Sequence, residues 1–582
     1  MSKKETFLEM CQRSEASPDD INNFIKWYES NKPDISLYEF LGMSVEEYRW
    51  WEKNPNILPT IIHMHTKGYD FVNDILPLEN LNDLETDEAL ERISFLSDFS
   101  SDIEQPTGLN QVINLLSELQ QRSTLTETQL ALSHYFLANA YSDLRNFTHE
   151  ETGWNWEQET YEKEILHLRL ALRGADSLDE TRRCQILTNL GNAFSSIGRF
   201  VEAIEYWNRA LAILPERLMA IGNRGIALLH YGMHLYDPSH QNIFFYHAYT
   251  DLNDTLSQSS ELANHAIQEF DTARKWLEDC YKVTEWGEIN SLKGELCKYH
   301  LGESVAEFNY RYWCLKNGLF LNPINDLDNY PIAAYDVLTT PNMTFRVKNG
   351  EIKRSIDYVA YFCQMKQEYI SIRYLYYEAI TDKQLHFSDK EVILYDTHDD
   401  LIYSLALEKM KIVFRGAYSL FDKIAYFLNF YLALSHQENQ ISFKRIWYQS
   451  GERNKGLKKC FTQYKNWPLR GLFWLSKDLT ENREGFKEAI EPDAQLFQEI
   501  RNQLEHKYLR IYSDTKEALP LNDKNSFSLF REDFEIKTLK LLKTVRSALI
   551  YLVLAIHREE IIRQENRPTE GVLKKQLDVL IR

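Results

Sequence analysis

The sequence predicts a mainly α-helical protein with several domains. Of its 582 residues, 44% are hydrophobic and 13% are aromatic, whereas 21 are glycine and 15 are proline. Such a composition favours a compact helical chain over a disordered one, because helix breakers are scarce. A chain of this length exceeds one hydrophobic core, so we expect three or more domains. Apolar residues also recur at helical spacing in several long segments, which supports the same fold class.

Residues 1–70 predict a small helical N-terminal module. Two short helices are expected on either side of Gly42, with Ser44 as the N-cap of the second helix. A helix-turn-helix is conceivable because the turn contains glycine. However, Glu46 and Glu47 begin the second helix and would repel phosphate, so we favour a protein-contact module over a DNA-binding one.

Residues 71–300 contain a repeated pattern of helix pairs, which is best formed in residues 184–217. Its positions are Leu187, Leu190, Gly191, Phe194, Ala203, Trp207, Ala210 and Pro215. They resemble the tetratricopeptide (TPR) pattern, and Gly225 follows Gly191 after one repeat period. Small Gly191 and Ala203 should let the paired helices approach closely. We therefore expect a TPR-like solenoid of three or four repeats.

Tetratricopeptide arrays mainly bind peptides or proteins in a concave groove. Exposed polar residues on the first helix of each repeat are the candidate contacts for such a partner. Here they are Asn189, Asn192, Asn223 and Arg224. For each of them, a role in facing solvent is the alternative.

Residues 301–360 predict a packed connector in which Asn and Asp side chains satisfy the loop backbone. Within it, Asn349-Gly350 lies between short alternating runs in Thr344–Arg354 and predicts one β-hairpin. The remaining residues, 361–582, predict a helical bundle. Long helices are expected at Tyr403–Leu434 and Phe527–Glu560.

The segment Leu496–Tyr512 predicts an amphipathic helix whose core face carries Leu496, Ile500, Leu504 and Ile511. Asn502 and His506 then lie four residues apart on the opposite face, and the long side chain of Arg501 can lean toward them. An imidazole can transfer a proton near neutral pH, and a guanidinium can hold a phosphate in its transition state. Together they can cleave a phosphodiester whose substrate supplies the nucleophile, as the 2′-hydroxyl of RNA does.

This Arg-Asn-x-x-x-His motif, preceded by a separate long apolar helix, resembles the HEPN superfamily of all-helical domains. Many members are metal-independent ribonucleases. The resemblance implies catalytic roles for Arg501 and His506 and a supporting polar role for Asn502, with no cofactor. It also implies a homodimer, or a higher assembly of dimers, in which two motifs form one composite site.

The aromatic-rich segment Arg311–Asp326 resembles one found in large bacterial HEPN proteins with N-terminal tetratricopeptide repeats. This second resemblance covers roughly residues 130–560. It implies a role in antiviral defence or in toxin–antitoxin-type conflict, in which the repeats restrain a toxic nuclease until it is needed.

The charge distribution argues against general nucleic-acid binding, because the formal net charge is −20. One segment is an exception and is the candidate RNA-binding region. Its cations are Lys444, Arg445, Lys455, Lys458, Lys459 and Lys465. Trp447, Tyr448, Phe461, Tyr464 and Trp467 interleave with them, as in a groove for single-stranded nucleic acid. The alternative is a solvated basic connector whose aromatic residues belong to the core.

Other chemistry finds little support in the sequence. The seven cysteines are scattered without Cys-x-x-Cys spacing, so we expect neither disulfides nor a zinc site. Gly451–Gly456 has two glycines of a phosphate loop but lacks the Lys-Ser/Thr that should follow. The N-terminus has no apolar signal region, and Ala548–Ile556 is too short to span a bilayer, so we expect a cytoplasmic protein.

Two functions from different classes remain. The first is a metal-independent endoribonuclease regulated by partner recognition on the repeats. The second is a non-catalytic scaffold whose bundle serves dimerisation or RNA binding. The presence of both Arg501 and His506 favours the enzyme.

Overall fold

The computed structural model describes residues 5–75, 78, 80–122, 124–147, 154–259, 262–280, 296–343, 354–382, 384–395, 400–463, 465–480, 493–514, 518–522 and 524–565. The fold is mainly helical, as the sequence predicts, with a helical solenoid followed by a C-terminal helical bundle. The chain divides into two compact units, Met1–Ile186 and Leu187–Arg582. The boundary between them falls within one helix.

The first unit is built from consecutive helices. They are α1 (Phe7–Gln12), α2 (Ile21–Asn31), α3 (Leu37–Leu41), α4 (Val45–Lys53), α5 (Leu58–Lys67), α6 (Thr86–Asp102), α7 (Pro106–Leu119), α8 (Glu127–Phe147), α9 (Glu159–Arg173) and the start of α10 (Glu180–Ser196). The expected break between α3 and α4 is confirmed. Gly42 ends α3 with a φ of +85°, and the Ser44 side chain accepts a hydrogen bond from the backbone N–H of Glu47.

One hydrophobic cluster joins α1 to the helices that follow residue 70. It extends from Phe7 to Ala140 and includes side chains of α5, α6 and α7. Within the same unit, the Nε2 atom of His65 in α5 lies 2.9 Å from Oε1 of the buried Glu47 in α4. This pair joins the two helices.

The second unit begins with the helices of the solenoid. They are the end of α10, α11 (Phe200–Ile213), α12 (Leu218–His234), α13 (Pro238–Ser257) and α14 (Asn264–Cys280). The expected close approach at Gly191 is confirmed: a Cβ atom there would lie 2.5 Å from Nε1 of Trp207. A similar addition at Gly225 would lie 3.0 Å from Cγ of Leu252. Both glycines are therefore needed for the packing of neighbouring helices.

The connector contains α15 (Val305–Lys316) and a buried loop that follows it. Its polar side chains satisfy the loop backbone, as the sequence predicts. Asn325 Oδ1 accepts a hydrogen bond from the Phe320 N–H at 3.2 Å, and Asp336 Oδ1 accepts one from the Leu321 N–H at 2.8 Å. The predicted hairpin in residues 344–353 lies outside the described residues.

The C-terminal bundle contains six helices in the described part of the chain. They are α16 (Arg354–Thr381), α17 (Leu405–Tyr431), α18 (Lys459–Thr462), α19 (Trp467–Thr480), α20 (Ala494–His506) and α21 (Arg531–Glu565). The long helix expected before the motif is confirmed as α17. All residues from Ala548 to Ile556 are buried within α21, so this apolar stretch is bundle core. No helix among the described residues has the length and apolar character required to cross a membrane.

Two strands correct the helix boundaries expected from the sequence. The predicted helix over Leu496–Tyr512 ends at His506, and Tyr508–Tyr512 is strand β1. The predicted helix from Phe527 begins only at Arg531, because Ser526–Phe530 is strand β2. The strands pair in parallel, with Tyr508 opposite Ser526. Leu509 and Ile511, two residues apart, are both buried, as expected for side chains on one face of a strand.

The solenoid packs directly against the bundle within the second unit. Buried Arg199 forms an ion pair with buried Asp478 of α19. The Tyr551 hydroxyl of α21 hydrogen-bonds the Glu202 carboxylate and lies 3.0 Å from the Val201 backbone N–H, which donates to it. A Cβ atom at Gly471 would lie 2.2 Å from the Gly198 carbonyl oxygen. The two parts therefore share one interior.

Candidate active site

The motif lies on α20, which presents one face to the core and one to solvent. Phe497, Ile500 and Gln503 are buried, whereas Arg501, Asn502 and His506 are exposed. The predicted division of faces therefore holds for these three site residues. It is wrong in detail for the core face, because Leu496 and Leu504 are only partly buried and Phe497 replaces them.

Arg501 is held by two side chains of α17. Its Nη2 atom lies 3.7 Å from Oδ2 of Asp422, and its guanidinium carbon lies 5.3 Å from the centre of the Tyr418 ring. The Arg501 side chain nevertheless remains 45% exposed. Because α17 contacts one side of the guanidinium and the other side is exposed to solvent, Arg501 can bind a phosphate without breaking core contacts.

The Tyr418 ring packs against the buried side of the Arg501 guanidinium. It is 7% exposed, and its hydroxyl is buried without a hydrogen-bond partner among the described residues. Burial raises the pKa of this phenol well above its usual range, although the nearby Arg501 cation opposes the shift. Tyr418 therefore stays neutral and acts on Arg501 through its ring.

Asp422 connects the motif to the predicted RNA-binding segment. Its Oδ1 atom accepts a hydrogen bond from the Phe443 backbone N–H at 3.2 Å, while Oδ2 faces Arg501. Lys444 and Arg445 follow directly and are both exposed. The start of the basic segment thus lies beside the arginine of the motif.

Asn502 and His506 lie on the open side of α20. His506 is the last residue of the helix, after which the backbone of Lys507 becomes extended. In the described part of the chain, neither Asn502 nor His506 has a side-chain hydrogen bond, and no contact joins His506 to Arg501. Both polar groups are therefore available to a substrate.

One exposed tyrosine lies two residues after His506, and a second exposed tyrosine contacts it. Tyr508 begins β1, and its hydroxyl is 3.1 Å from that of Tyr403. The hydrogen bond to Tyr403, together with burial, raises the pKa of Tyr508 to about 12. Both rings are about half exposed. They present aromatic surface beside the end of the motif helix.

The predicted groove of cations and aromatic rings is wrong in its aromatic part. Trp447, Tyr448 and Phe461 are buried in the bundle core. Trp467 is half-buried and donates its indole N–H to the Ser195 carbonyl at 3.1 Å, and Tyr464 lies outside the described residues. The alternative interpretation, in which these rings are core, is correct for the buried residues, because apolar burial outweighs exposure of such large rings.

The cations of the segment are exposed or partly exposed, and most of them have partners within the chain. Lys455 pairs with Glu452 at 2.8 Å, and Lys458 donates to the Leu434 carbonyl at 2.6 Å. Arg445 donates to the carbonyls of Gly451 and Asn439. Lys444, Lys459 and Lys465 are exposed, and Lys465 also has an interaction within the chain.

The four residues expected to bind a partner on the solenoid are half-buried. Asn192 Oδ1 accepts hydrogen bonds from Trp207 Nε1 at 3.2 Å and from Asn223 Nδ2 at 2.9 Å. Arg224 forms a bidentate ion pair with Asp251, in which both hydrogen bonds are 2.8 Å long. Asn189 likewise has an intramolecular partner. These residues thus hold neighbouring repeat helices together.

The sequence interpretation missed Asp422 and Tyr418 as site residues. Both lie on the long helix α17. Helical spacing places them one turn apart, but nothing in the local sequence shows that α20 lies across them. Within the described residues, no group of three or more His, Cys, Asp or Glu side chains could hold a metal ion.

One comparison with known proteins found a match, and it covers the C-terminal bundle. Residues 350–559 match the family model of the LA2681-like HEPN domain. This match supports a HEPN-superfamily domain, a type generally associated with ribonuclease activity. A search of the curated proteins and a search of the solved structures each returned no match.

Proposed function

We propose that this chain is a metal-independent endoribonuclease that cleaves RNA through Arg501 and His506. The observation that carries the proposal is the placement of both residues, with Asn502, on the exposed face of one helix of a HEPN-like bundle. The contacts of Arg501 with Asp422 and Tyr418 add a fixed orientation to its charge.

The chemistry follows from the two side chains. His506 takes the proton of the RNA 2′-hydroxyl, whose oxygen attacks the adjacent phosphorus. The bond from phosphorus to the 5′-oxygen breaks, and that oxygen receives a proton from a second acid. Arg501 stabilises the additional negative charge on the phosphoryl oxygens in the transition state. The products are a 2′,3′-cyclic phosphate and a 5′-hydroxyl end.

A homodimer through the bundle supplies the second acid. One chain carries one such His in the motif, whereas proton removal and proton donation require two groups. Two α20 surfaces facing each other across a two-fold axis would bring both motifs together. Because Ala548–Ile556 is buried within its own chain, the interface must use exposed residues near the motif. Light scattering that finds only active monomer at working concentration would contradict this part.

RNA binding uses the exposed cations beside the motif. Lys444 and Arg445 follow the residue that contacts Asp422, and Lys459 and Lys465 extend the same segment. Lys455 and Lys458 contribute charge while holding their intramolecular partners. These contacts are to phosphate, so they give affinity that falls with salt rather than sequence preference.

The solenoid regulates cleavage after recognition of a protein partner, in antiviral defence or toxin–antitoxin-type conflict. Support comes from its direct packing on α19 and α21 through Arg199, Glu202 and their partners. A fragment that begins after residue 300 would expose this interior, including Tyr551. Regulation must therefore be tested with substitutions in the full chain.

The experiment that tests the proposed function compares cleavage rates of total RNA by four proteins. They are the wild type, Arg501→Ala, His506→Ala and Gln498→Ala, the last being an exposed residue of the same helix. We expect rate losses of about a hundredfold or more for the first two variants, because each removes a group that acts in the transition state. Gln498→Ala should retain the wild-type rate. Equal rates in all four proteins would refute the site.

A further inference from the structure

A cavity of about 790 Å³ lies within the second unit, away from the motif. Its walls come from α11, α12, α13, the connector and α21. Five lining side chains are basic and three are acidic; once Asp251, which pairs with the lining Arg224, is counted, the excess is one positive charge in a chain of formal charge −20. The basic residues are Arg209, Arg224, Lys316, Lys543 and Arg546. A local reversal of the overall charge inside a concave site favours an anionic ligand.

The two deepest cations have structural partners. Arg546 is buried and pairs with Asp326 at 2.5 Å, and it also donates to the carbonyls of Phe320 and Asn322. Arg224 is held by Asp251. These guanidiniums shape the cavity and would not be released by a ligand.

The other three cations come from three different elements and are accessible. Arg209 of α11 and Lys316 of α15 are exposed. Each makes a cation–π contact, Arg209 with the Tyr206 ring and Lys316 with the Tyr312 ring. Among the described residues, neither forms an ion pair with a carboxylate. Lys543 of α21 pairs with exposed Glu205 at 2.9 Å, an interaction that an anion of higher charge can displace.

We propose that this cavity binds a small anion carrying two or more phosphate groups, with Arg209, Lys316 and Lys543 as its ligands. The cavity volume of about 790 Å³ is much larger than one phosphate, and three cations on separate walls match the charge and length of a linear polyphosphate better than those of a single phosphate. Charge-assisted hydrogen bonds from guanidinium and ammonium groups are the interactions that phosphates use in proteins. Asp328, an exposed acidic residue of the lining, would weaken such binding.

The position of the cavity links it to the motif helix. Lys543 lies one turn from Lys540 on α21, and Lys540 and Lys537 both pair with Asp493, which immediately precedes α20. A ligand at Lys543 therefore contacts the helix whose Lys537 and Lys540 pair with Asp493 at the start of α20. A resulting change in RNA cleavage rests on the proposed function, but binding itself does not.

The test is calorimetric titration of the full chain with tripolyphosphate, in buffer without divalent metal. The variant Arg209→Ala/Lys316→Ala removes two proposed ligands. The control Lys275→Ala/Lys390→Ala removes two exposed lysines that do not line the cavity. We expect the first variant to weaken binding by about tenfold or more, and the control to change it little. Asp328→Asn should tighten binding, which excludes misfolding as the cause of a loss.

ATP and adenosine distinguish the source of the phosphates. If ATP competes with tripolyphosphate, the site accepts a nucleotide. If ATP does not compete, the site is specific for an inorganic polyphosphate. Both results support the proposal, and adenosine should not compete in either case. No binding of either anion at about 1 mM, or equal weakening in both double variants, would overturn it. These outcomes do not depend on nuclease activity, so they separate this proposal from the ribonuclease assignment.

Discussion

Arg501 on α20 and Asp422 on α17 face each other with 3.7 Å between Nη2 and Oδ2. The second oxygen of Asp422 accepts a hydrogen bond from the Phe443 backbone, so the carboxylate is itself fixed. Asp422 thereby orients the arginine of the motif and places the basic segment beside it. It is a positioning residue, since it acts through Arg501 rather than on the substrate.

Asp422→Asn should lower kcat roughly tenfold and change KM less, because a misdirected guanidinium loses transition-state contacts first. Asp422→Glu should restore much of the rate, since it keeps the charge. Glu408→Gln, at an exposed acidic residue of the same helix, is the matched control. An unchanged kcat in Asp422→Asn would show that Tyr418 alone orients Arg501.

Tyr418→Phe should raise the free energy of unfolding by about 1 kcal/mol, because it removes a buried hydroxyl without a partner and keeps the ring. Its cleavage rate should equal that of the wild type. Tyr418→Leu removes the ring beneath Arg501 and should slow cleavage. Urea unfolding and initial rates measure both effects. A loss of stability in Tyr418→Phe would indicate that the hydroxyl has a partner in solution.

Much of this site follows from sequence, but the supporting residues do not. Helical periodicity identifies α17 and α20 and separates the exposed motif residues from Ile500, because both are local properties. The packing of α20 on Tyr418 and Asp422 is non-local. Similarly, a run of cations and aromatic rings cannot show which residues turn inward, and Trp447 and Phe461 do so.

The strand boundaries show the same limit. Tyr508–Tyr512 has an alternating pattern that competes with a helical one, and the outcome depends on a parallel partner, Ser526–Phe530, supplied from elsewhere in the chain. By contrast, the α10–α11 pair was predictable. Gly191 lies opposite Trp207, so the contact joins two helices that are adjacent in the sequence.

Arg199→Met should destabilise the second unit by about 3 kcal/mol, because it removes the cation of a buried ion pair with Asp478. Arg209→Met, at an exposed arginine of the adjoining helix α11, should change the free energy of unfolding little. Urea unfolding of the full chain measures the difference. Equal stability of the two variants would mean that the solenoid does not depend on α19 for its position.

A pair of histidines in the first unit should make its stability depend on pH. His134 and His167 lie with their Nδ1 atoms 3.0 Å apart, and Gln120 Nε2 also lies 3.0 Å from that atom of His134. Because an amide nitrogen donates, His134 Nδ1 accepts, and His167 Nδ1 carries the proton. Burial lowers the pKa of His134 to about 4 and that of His167 to about 3.

Both histidines stay neutral in the folded state, while unfolded histidine binds a proton below about pH 6.5. Their contribution is therefore complete above that pH and is lost as the pH falls toward 4. Burial raises the pKa of Asp98 to about 6, which acts in the opposite direction, so a variant must isolate the pair. Between pH 7.5 and 5, His134→Asn/His167→Asn should lose less stability than the wild type, by about 4 kcal/mol, since each imidazole accounts for about 2 kcal/mol. His265→Asn, at an exposed histidine, should behave as the wild type.

The most direct measurement of the central claim is the chemistry of the RNA ends produced by the wild-type protein in excess EDTA. Cleavage by Arg501 and His506 requires only the RNA 2′-hydroxyl as nucleophile, so we predict 2′,3′-cyclic phosphate and 5′-hydroxyl ends, with none formed by His506→Ala. Ends bearing a 5′-phosphate, or cleavage that stops in EDTA, would contradict the account. An intact RNA population at every protein concentration would instead favour a scaffold that binds without cutting.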